Sequence, residues 1–585
     1  MHSASSVQPM EQTEPAVGQA VATSRVKFDR IAQALLWLAA PLTAVLAVTR
    51  QSIWMDEGYT VWFAAHQKLS SFFPALIGAP GSTGDPLMPF YLLYMWAWTK
   101  IFGYSEFALR AANIPFFVIL LVAVSWAAWK LAGAANLWVV ACLSPFVWFY
   151  LNEARPYVAL MAFAAATIVS LMAYLLEPTK YRRKAPWICL VSLLFAWGTH
   201  ILAAFLVPAL AVLVAAAAIE THELKKTLLR DWLRPVVFSA PLYLALGGFY
   251  GWTSSHGVNK QVGDPGILNL GFIFYEFLGF AGLGPPRLEL RENPIVQTLT
   301  PYTGLLILGA LPLVAMCLAL LRSRPPKLVL PLLASLCAGM AIALGVSKIE
   351  HFQVLGRHVA VFAPLLLITI LYWLGQQISQ TRRTTAIAAL SGIVMMWAVS
   401  DARLVFMPKY RKDDVREAAK IAGAASKKGA RILWVADTYS AEYYGVTAIR
   451  SERPTTNVMG KELGRPVTVE AIDAQNWSSD VASKFIDCSA SPTVLVVSRS
   501  DLFDKQGVWR TLVEQRHASE VASIPAFSIY EFEPDTNAAD TTPGVNRPRI
   551  GPDVETRLSR DTPACPSNLQ KQTLSEFRFN RENTN

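Results

Sequence analysis

The sequence contains a series of apolar runs that recur from residue 31 to about residue 400. A helix needs about 20 residues to cross the hydrocarbon core of a bilayer, and most of these runs approach that length. Hydrophobic residues make up 53% of the 585 residues and charged residues 16%, against about 25% charged in a typical soluble protein. The chain is therefore predicted to be a mostly α-helical, polytopic membrane protein.

Basic residues decide which connections between the apolar runs face the cytoplasm, because Lys and Arg accumulate in cytoplasmic loops. Segment 87–102 is apolar but short and rich in Tyr and Trp, so we interpret it as a helix lying in the membrane interface. If it crossed the membrane, every basic cluster that follows would lie outside. About eleven spans remain, at 31–48, 112–130, 133–150, 157–176, 186–200, 201–219, 236–251, 302–321, 328–346, 358–375 and 386–400. The basic clusters that then lie inside are Lys180/Arg182/Arg183/Lys184, Lys225/Lys226/Arg230, Arg322/Arg324/Lys327 and Arg382/Arg383.

The N-terminal segment is expected in the cytoplasm, because Arg25, Lys27 and Arg30 precede the first span. Residues 1–24 contain neither Lys nor Arg and no apolar core, so a disordered segment without a cleavable signal peptide is predicted. The transmembrane domain is assigned to residues 25–400. The net charge of +10 comes from short clusters between apolar runs, which is typical of cytoplasmic loops and does not favour nucleic-acid binding.

The region from 401 to 533 has the composition of a small soluble domain, and the predicted topology places it outside, in the periplasm. Asp413 is predicted to cap a helix that ends near Gly429. Strand-like runs at 432–436, 493–497 and 527–532 favour an α/β fold. Residues 534–585 are polar and lack apolar periodicity, so we expect disorder there.

The cysteines give little sign of metal or redox chemistry. No Cys-x-x-Cys or Cys/His metal spacing is present. Cys488 and Cys565 fall in the polar C-terminal region and could pair if that region is extracytoplasmic.

Two adjacent carboxylates, Asp56 and Glu57, lie just past the end of the first predicted span. Acidic residues at a membrane boundary can simply cap a helix. Ionisable groups at membrane depth are costly, however, and usually have a function. We therefore favour a functional interpretation of the pair.

Polar side chains at the predicted outer ends of the spans form a set that suits one type of reaction. A carboxylate can take a proton from an acceptor hydroxyl while cations stabilise a phosphate leaving group. Arginine contacts phosphate oxygens through its planar fork. The phosphate would belong to a lipid whose tail stays in the bilayer. The set consists of Asp56, Glu57, Asp85, Arg110, Glu153, Arg155, His200, His351 and Arg357.

Three blocks of sequence occur in a characteristic order. They are WMDEGY at 54–59, GDPL at 84–87 followed by FGYSEFALR at 102–110, and SP at 144–145 followed by NEARPY at 152–157. Together they resemble the GT-C superfamily of polytopic glycosyltransferases, close to its protein O-mannosyltransferase and aminoarabinose-transferase branch. The resemblance covers about residues 25–400. It implies sugar transfer from a polyprenyl phosphate on the outer face of the membrane, usually with inversion. The small outer domain is also similar to one that bacterial members carry.

The resemblance implies roles for several residues. Asp56 matches the acidic residue of the first outer loop, the base or acceptor-orienting group, and Glu57 would assist it or serve a structural role. Arg155 and Arg357 match phosphate-contacting positions. Arg110 matches the arginine that ends the interfacial helix, where phosphate contact and a snorkelling cation are equally plausible.

The other candidates are assigned to substrate or cation binding. Asp85 stands where relatives have His-Pro-Pro or Glu-Lys-Pro, so it could ligate a cation or bind a sugar hydroxyl, and metal dependence stays open. His200 is the second metal candidate, although a lone His is more often a satisfied interfacial residue. Glu153 and Tyr157 belong to the third block and are assigned to the substrate. The same caution as for His200 applies to His256, His351 and His358.

The function expected from the sequence is transfer of a monosaccharide from a polyprenyl-phosphate donor to a glycan, lipid or protein of the cell envelope. The enzyme would sit in a bacterial-type inner membrane, with a divalent cation as an open possibility. One alternative is a glycan polymerase or ligase that uses a lipid-diphosphate oligosaccharide. Another is a lipid or glycan transporter without chemistry, which should show internal repeats and charges near the bilayer midplane. We find no internal repeat.

Overall fold

The computed structural model describes residues 34, 38, 41–65, 68–77, 87–132, 138–220, 222–255, 266–292, 294–322, 328–378, 383–448, 467–471, 479, 482–483, 486 and 491–533. The chain divides into two compact units, Met1–Lys412 and Asp413–Asn585, and each is described by itself. Several predicted features lie outside the described residues, namely the two terminal segments 1–24 and 534–585, Asp85, His256, Cys488 and Cys565.

Apart from the turns and loops that connect them, the described residues of the first unit form helices. Short 3-10 turns at 201–205, 280–282, 300–302, 356–362 and 408–410 interrupt or join the α-helices. The α-helices are α1 (Met55–Ala64), α2 (Leu69–Leu76), α3 (Pro89–Phe102), α4 (Glu106–Ala111), α5 (Ile114–Ala132), α6 (Trp138–Cys142), α7 (Pro145–Leu151), α8 (Tyr157–Leu176), α9 (Pro178–Tyr181), α10 (Ala185–Thr199), α11 (Leu206–Glu220), α12 (His222–Ser255), α13 (Ile267–Phe277), α14 (Arg287–Glu292), α15 (Ile295–Leu299), α16 (Thr303–Arg322), α17 (Val329–Ile349), α18 (Ala363–Ile378) and α19 (Arg383–Phe406).

Within the described residues, seven helical stretches are long and apolar enough to cross a membrane. They coincide with seven of the predicted spans, and the mostly helical, polytopic architecture is confirmed. The seven stretches are Glu106–Lys130, Tyr157–Leu176, Ile201–Ala218, Ile295–Leu318, Val329–Ile349, Gly356–Gly375 and Thr384–Phe406.

The four other predicted spans take different forms. The segment 133–150 is divided into α6 and α7, because Pro145 lacks a backbone N–H and begins a new helix. The segment 186–200 forms the 15-residue α10, and 236–251 lies within the longer α12. The first span is helical at 41–47 in its described part.

Helix α8 forms the centre of the first unit. Almost all of its side chains are buried, and α5, α10 and α18 pack around it. The sequence of α8 is rich in Ala, Leu and Met, so neighbouring helices can pack closely against it. Because α8 is buried on almost all sides, it needs no polar face. The loop 152–156 precedes α8, so a rigid helix fixes the position of that loop.

Helix α3 holds the segment that carries the two adjacent carboxylates. It packs against α1, and Thr99 Oγ1 donates to the Ala64 carbonyl at the end of α1 over 3.3 Å. Trp98 Nε1 donates to the Ala108 carbonyl in α4 over 2.8 Å. At 14 residues, α3 is shorter than the roughly 20 residues of a transmembrane helix.

The second unit is an α/β fold built on a six-stranded sheet. Its strands are β1 (Arg431–Val435), β2 (Val446–Ala448), β3 (Val467–Ala471), β4 (Thr493–Ser498), β5 (Ser519–Ile524) and β6 (Phe527–Phe532), in the order β2-β3-β1-β4-β6-β5. Its described helices are α20 (Val415–Lys427), α21 (Thr438–Tyr443), α22 (Ser500–Phe503) and α23 (Val508–Gln515). Strands β2, β3, β1 and β4 are parallel, whereas β6 pairs antiparallel with both β4 and β5.

The structure contains the helix and strands predicted for the second unit, and the residue that caps the helix differs from the predicted one. Strands β1, β4 and β6 match the three strand-like runs to within one residue. The cap of α20 is Asp414 rather than Asp413, because its side chain accepts a hydrogen bond from Glu417 N over 3.2 Å. Gly429, with φ of +87°, follows the end of α20 in the left-handed conformation that glycine tolerates best.

Candidate active site

The two carboxylates of the first block lie in the first turn of α1 but differ in exposure. Glu57 is completely buried, whereas the side chain of Asp56 is 19% exposed. A helix N-terminus favours negative charge because its free N–H groups point outward. Position in the helix therefore stabilises both carboxylates, and only Asp56 is accessible to a ligand.

Glu57 forms a buried ion pair with Arg110. Arg110 Nε donates to Glu57 Oε1 over 2.8 Å and Nη2 donates to Oε2 over 2.7 Å, with both side chains fully buried. Glu57 Oε1 also accepts a hydrogen bond from Ala154 N over 2.8 Å. Burial alone would raise the pKa of Glu57, but Arg110 and Lys412 lower it to about 2.

Arg110 has further hydrogen bonds to the chain that leads into α1. Its Nη atoms donate to the carbonyls of Thr49, Gln51 and Ser52 over distances of 2.7 to 3.2 Å. A fully buried guanidinium does not snorkel, and these contacts are those of a structural ion pair. Substrate binding by Arg110 stays a prediction, one that this arrangement does not favour.

Asp56 forms an ion pair with an arginine from a distant part of the chain. Arg357 Nη1 donates to Asp56 Oδ2 over 2.7 Å, across 301 residues of sequence, and each side chain is 19% exposed. Arg155 Nη1 donates to the Asp56 carbonyl over 3.1 Å and to Thr60 Oγ1 over 3.2 Å. The structure thus brings together one partly accessible carboxylate and two guanidinium groups.

Glu153, Tyr157 and His200 line the buried side of this arrangement. Glu153 is 2% exposed, and burial raises its pKa although Lys412 and Arg287 oppose the shift. The ring of Tyr157 lies 6.3 Å from that of His200. His200 Nδ1 accepts a hydrogen bond from Leu202 N over 3.2 Å, so Nε2 is assigned the proton in the neutral ring.

The two other predicted histidines that the structure describes differ in position. His351 lies in a turn with φ of +50° and is exposed. His358 Nδ1 accepts a hydrogen bond from Leu355 N over 3.1 Å, which caps the 3-10 turn that carries Arg357. Among the described residues, no group of three or more His, Cys, Asp or Glu side chains is arranged to hold a metal ion. Asp85, the other metal candidate, lies outside those residues.

Three charged residues near this site were missed by the sequence analysis. Lys412 Nζ lies 3.5 Å from Glu57 Oε2 and 3.8 Å from Glu153 Oε1. Arg287 pairs with buried Glu276. Its guanidinium carbon lies 3.8 Å from the centre of the Phe149 ring. Lys412 and Arg287 each stand among several other charges in sequence, so no local signal distinguishes them, whereas Glu276 is the one charged residue in the apolar stretch 265–286.

Gly356 allows Glu276 to pack directly beside the backbone that carries Arg357. A methyl group at this position would overlap the Glu276 carboxylate and lie 3.4 Å from the Phe146 ring. The neighbouring Arg357 is the cation that contacts Asp56. Close packing at Gly356 therefore fixes the position of the start of the 3-10 turn relative to Glu276.

Gly356→Ala is expected to destabilise the first unit by about 1–3 kcal/mol, the usual cost of overpacking. The measurement is the apparent unfolding temperature in lipid nanodiscs, followed by tryptophan fluorescence. Gly345→Ala is the matched control, because a methyl group there meets nothing within 4 Å. Equal unfolding temperatures for the two variants would contradict the predicted clash.

Among the solved structures that are similar to this chain are two of one protein. The chain is similar to the crystal structure of ArnT from Cupriavidus metallidurans in the apo state, with a TM-score of 0.42 and 12% identity over 87% of this chain and 98% of that chain. It is also similar to the structure of that ArnT bound to undecaprenyl phosphate, with a TM-score of 0.39 and 13% identity over 85% of this chain and 97% of that chain. No model of a protein family matches the sequence, and no curated protein matches it.

Proposed function

We propose that the chain transfers a monosaccharide from a polyprenyl-phosphate donor to an acceptor hydroxyl. The observation that carries this proposal is the contact between Asp56 and Arg357, which joins a carboxylate and a guanidinium at a partly exposed position. Around it the charged side chains of Glu57, Arg110 and Glu153 are buried. A site of this kind offers a proton acceptor and a phosphate-binding cation to the same ligand.

The reaction requires one bond to form and one to break. The acceptor oxygen attacks the anomeric carbon of the donor sugar, and its proton passes to the Asp56 carboxylate. The bond between the anomeric carbon and the phosphate oxygen breaks, and the phosphate leaves with the electron pair. Arg357 and Arg155 would stabilise the charge that develops on the leaving phosphate. Attack from the face opposite the phosphate would invert the anomeric centre.

Donor binding would also change the state of Asp56. A phosphate that approaches Arg357 competes with Asp56 for the same Nη1 donor, which now holds Oδ2 at 2.7 Å. The donor phosphate is a diester with one negative charge, and its two free oxygens can accept both prongs of the fork. It gains a second negative charge as the sugar leaves, which strengthens its contact with Arg357. Release of Asp56 from Arg357 would leave its carboxylate available for the acceptor hydroxyl, so the base becomes available once the donor is bound.

The buried ion pairs beside Asp56 would hold the site in place before substrate arrives. Glu57 fixes Ala154 N and is itself fixed by Arg110. Asp56 and Arg155 are the chain neighbours of Glu57 and Ala154. Preorganised charges of this kind stabilise a transition state without rearranging during the reaction.

The proposed enzyme lies in a bacterial-type inner membrane with its N-terminus in the cytoplasm and its reacting groups at the outer face. The basic clusters between predicted spans support this orientation. Its donor lipid would stay in the bilayer, and the acceptor would be a glycan, lipid or protein of the envelope. Tyr157 and His200 are proposed to contact the sugar, because a buried aromatic ring and an N–H donor suit a sugar face and its hydroxyls.

The test uses the full chain reconstituted in nanodiscs with a lipid extract of bacterial envelopes and, separately, with synthetic polyprenyl-monophosphate and polyprenyl-diphosphate sugars. Mass spectrometry follows the donor and the released polyprenyl phosphate. The proposal expects a monophosphate donor to be consumed and polyprenyl phosphate to accumulate. Consumption of diphosphate donors alone would favour the polymerase or ligase alternative. Consumption of neither class would overturn the proposed function.

A further inference from the structure

Lys412 lies between two buried carboxylates. Its side chain is 9% exposed, with Nζ 3.5 Å from Glu57 Oε2 and 3.8 Å from Glu153 Oε1. It also donates a hydrogen bond to the Asn152 carbonyl, and its ammonium group lies 5.9 Å from the centre of the Trp54 ring. One side chain therefore contacts both the start of α1 and the loop 152–156.

The charges around Lys412 are balanced only if its ammonium group is present. Arg110 already holds both oxygens of Glu57. In the described part of the chain, Lys412 is the one cation within 4 Å of the Glu153 carboxylate. Without it, Glu153 would keep only the more distant positive charge of Arg287, while Arg110 is engaged by Glu57. Two carboxylates in such a buried region cannot both stay ionised at neutral pH without a large free-energy cost.

The segments that Lys412 joins carry the proposed reacting groups. Asp56 is the chain neighbour of Glu57, and Arg155 follows two residues after Glu153. The hydrogen bond from Ala154 N to Glu57 links the two segments on one side, and Lys412 links them on the other. A shift of the loop 152–156 relative to α1 would change the contact between Arg155 and the Asp56 carbonyl.

We propose that Lys412 is a positioning residue, whose ammonium group keeps Glu57 and Glu153 ionised and holds Arg155 in register with Asp56. It would touch neither substrate. The consequence for catalysis rests on the proposed function, whereas the charge state of the two carboxylates can be tested without it.

Burial lowers the pKa of Lys412 to about 8, although Glu57 and Glu153 oppose the shift. The titratable and charged groups that face it are Glu57 on α1, Arg110 on α4, Glu153 on the loop and Tyr410 on the preceding 3-10 turn. Since the ammonium group is present below this pKa and lost above it, the positioning contact should weaken as the pH rises through about 8.

The first measurement is infrared spectroscopy of the full chain in nanodiscs. In Lys412→Met, Glu153 should keep its proton at pH 7. A carboxylic-acid C=O band should then disappear when the pH is raised to 10. The band should appear in the difference spectrum of Lys412→Met against the wild type, whereas Lys412→Arg and the double variant Lys412→Met/Glu153→Gln should not show it in theirs. Absence of the band in Lys412→Met would overturn the proposal.

The second measurement is the pH profile of sugar transfer with a polyprenyl-monophosphate donor that the wild type consumes. Lys412→Met should lower kcat by roughly tenfold to a hundredfold, the range that a small misplacement of reacting groups produces, with a smaller change in KM. Lys412→Arg cannot lose its charge, so it should retain activity at least one pH unit above the wild-type alkaline limit. An alkaline limit that does not move in Lys412→Arg would also overturn the proposal.

Lys409→Met is the control, because Lys409 is an exposed lysine three residues away. It should give neither the infrared band nor a change in the pH profile. If the wild type consumes no polyprenyl-phosphate sugar, the proposed function fails. The infrared comparison still decides whether Lys412 holds the two carboxylates ionised.

Discussion

Asp56→Asn is expected to lower the rate of sugar transfer by at least about a hundredfold, the lower end of what a positioned general base contributes. The amide keeps the size of the side chain but cannot accept the proton of the acceptor hydroxyl. It also loses the ionic part of the contact with Arg357, which is 2.7 Å long in the structure. The measurement is kcat for the reconstituted full chain, with donor consumption followed by mass spectrometry.

The free energy of unfolding of Asp56→Asn should differ little from that of the wild type. The side chains of Asp56 and Arg357 are both partly exposed, and ion pairs in contact with water contribute about 0–1 kcal/mol. Asp414→Asn is the matched control, because Asn caps a helix as well as Asp does and Asp414 caps α20 in the other unit. Transfer by Asp56→Asn at the wild-type rate would remove the base from the proposed mechanism.

Much of the helical architecture follows from the sequence because lipid imposes a simple rule on it. Every backbone polar group in a bilayer must be paired within its own segment, so a long apolar run such as 157–176 has little choice but to form a helix. Proline can break such a run, as Pro145 does, although Pro312 lies inside the unbroken α16. Pro145 divides the predicted span 133–150 into α6 and α7, and composition alone does not reveal such a break.

The candidate site could be anticipated only in part. Asp56, Arg155 and Arg357 were predicted together because each occupies the outer end of a predicted span, and the structure brings these three together. Lys412 was missed because its partners, Glu57 and Glu153, lie far away in sequence. No periodicity encodes a contact of that range.

Burial explains which strands of the second unit could be predicted from the sequence, as β1, β4 and β5 illustrate. Strands β1 and β4 are almost entirely buried and consist largely of apolar, β-branched residues, so their runs stand out. Strand β5, Ser519–Ile524, is mostly exposed and polar. An exposed edge strand has no apolar alternation, and its sequence does not differ from that of a loop.

Arg110→Met is expected to destabilise the first unit by about 3–5 kcal/mol, the usual cost of removing one partner from a buried ion pair. Glu57 would remain fully buried with Lys412 as its nearest cation, at 3.5 Å. Methionine is close to arginine in length, so packing changes less than charge. The measurement is the apparent unfolding temperature in nanodiscs, compared with Lys100→Met, which removes a cation that is largely exposed.

The dependence on pH distinguishes a charge effect from a packing effect. In the wild type the pKa of Glu57 is lowered from 4.5 to about 2, so its stabilising contribution is present above pH 4.5 and is lost as the pH falls through about 2. In Arg110→Met the buried carboxyl should instead take up a proton at much higher pH, and the difference from the wild type should shrink on acidification. The double variant Arg110→Met/Glu57→Met removes both charges and should be more stable than Arg110→Met alone. A double variant less stable than the single one would mean that Arg110 acts through packing, and that Glu57 does not need its charge to hold Ala154 beside Asp56.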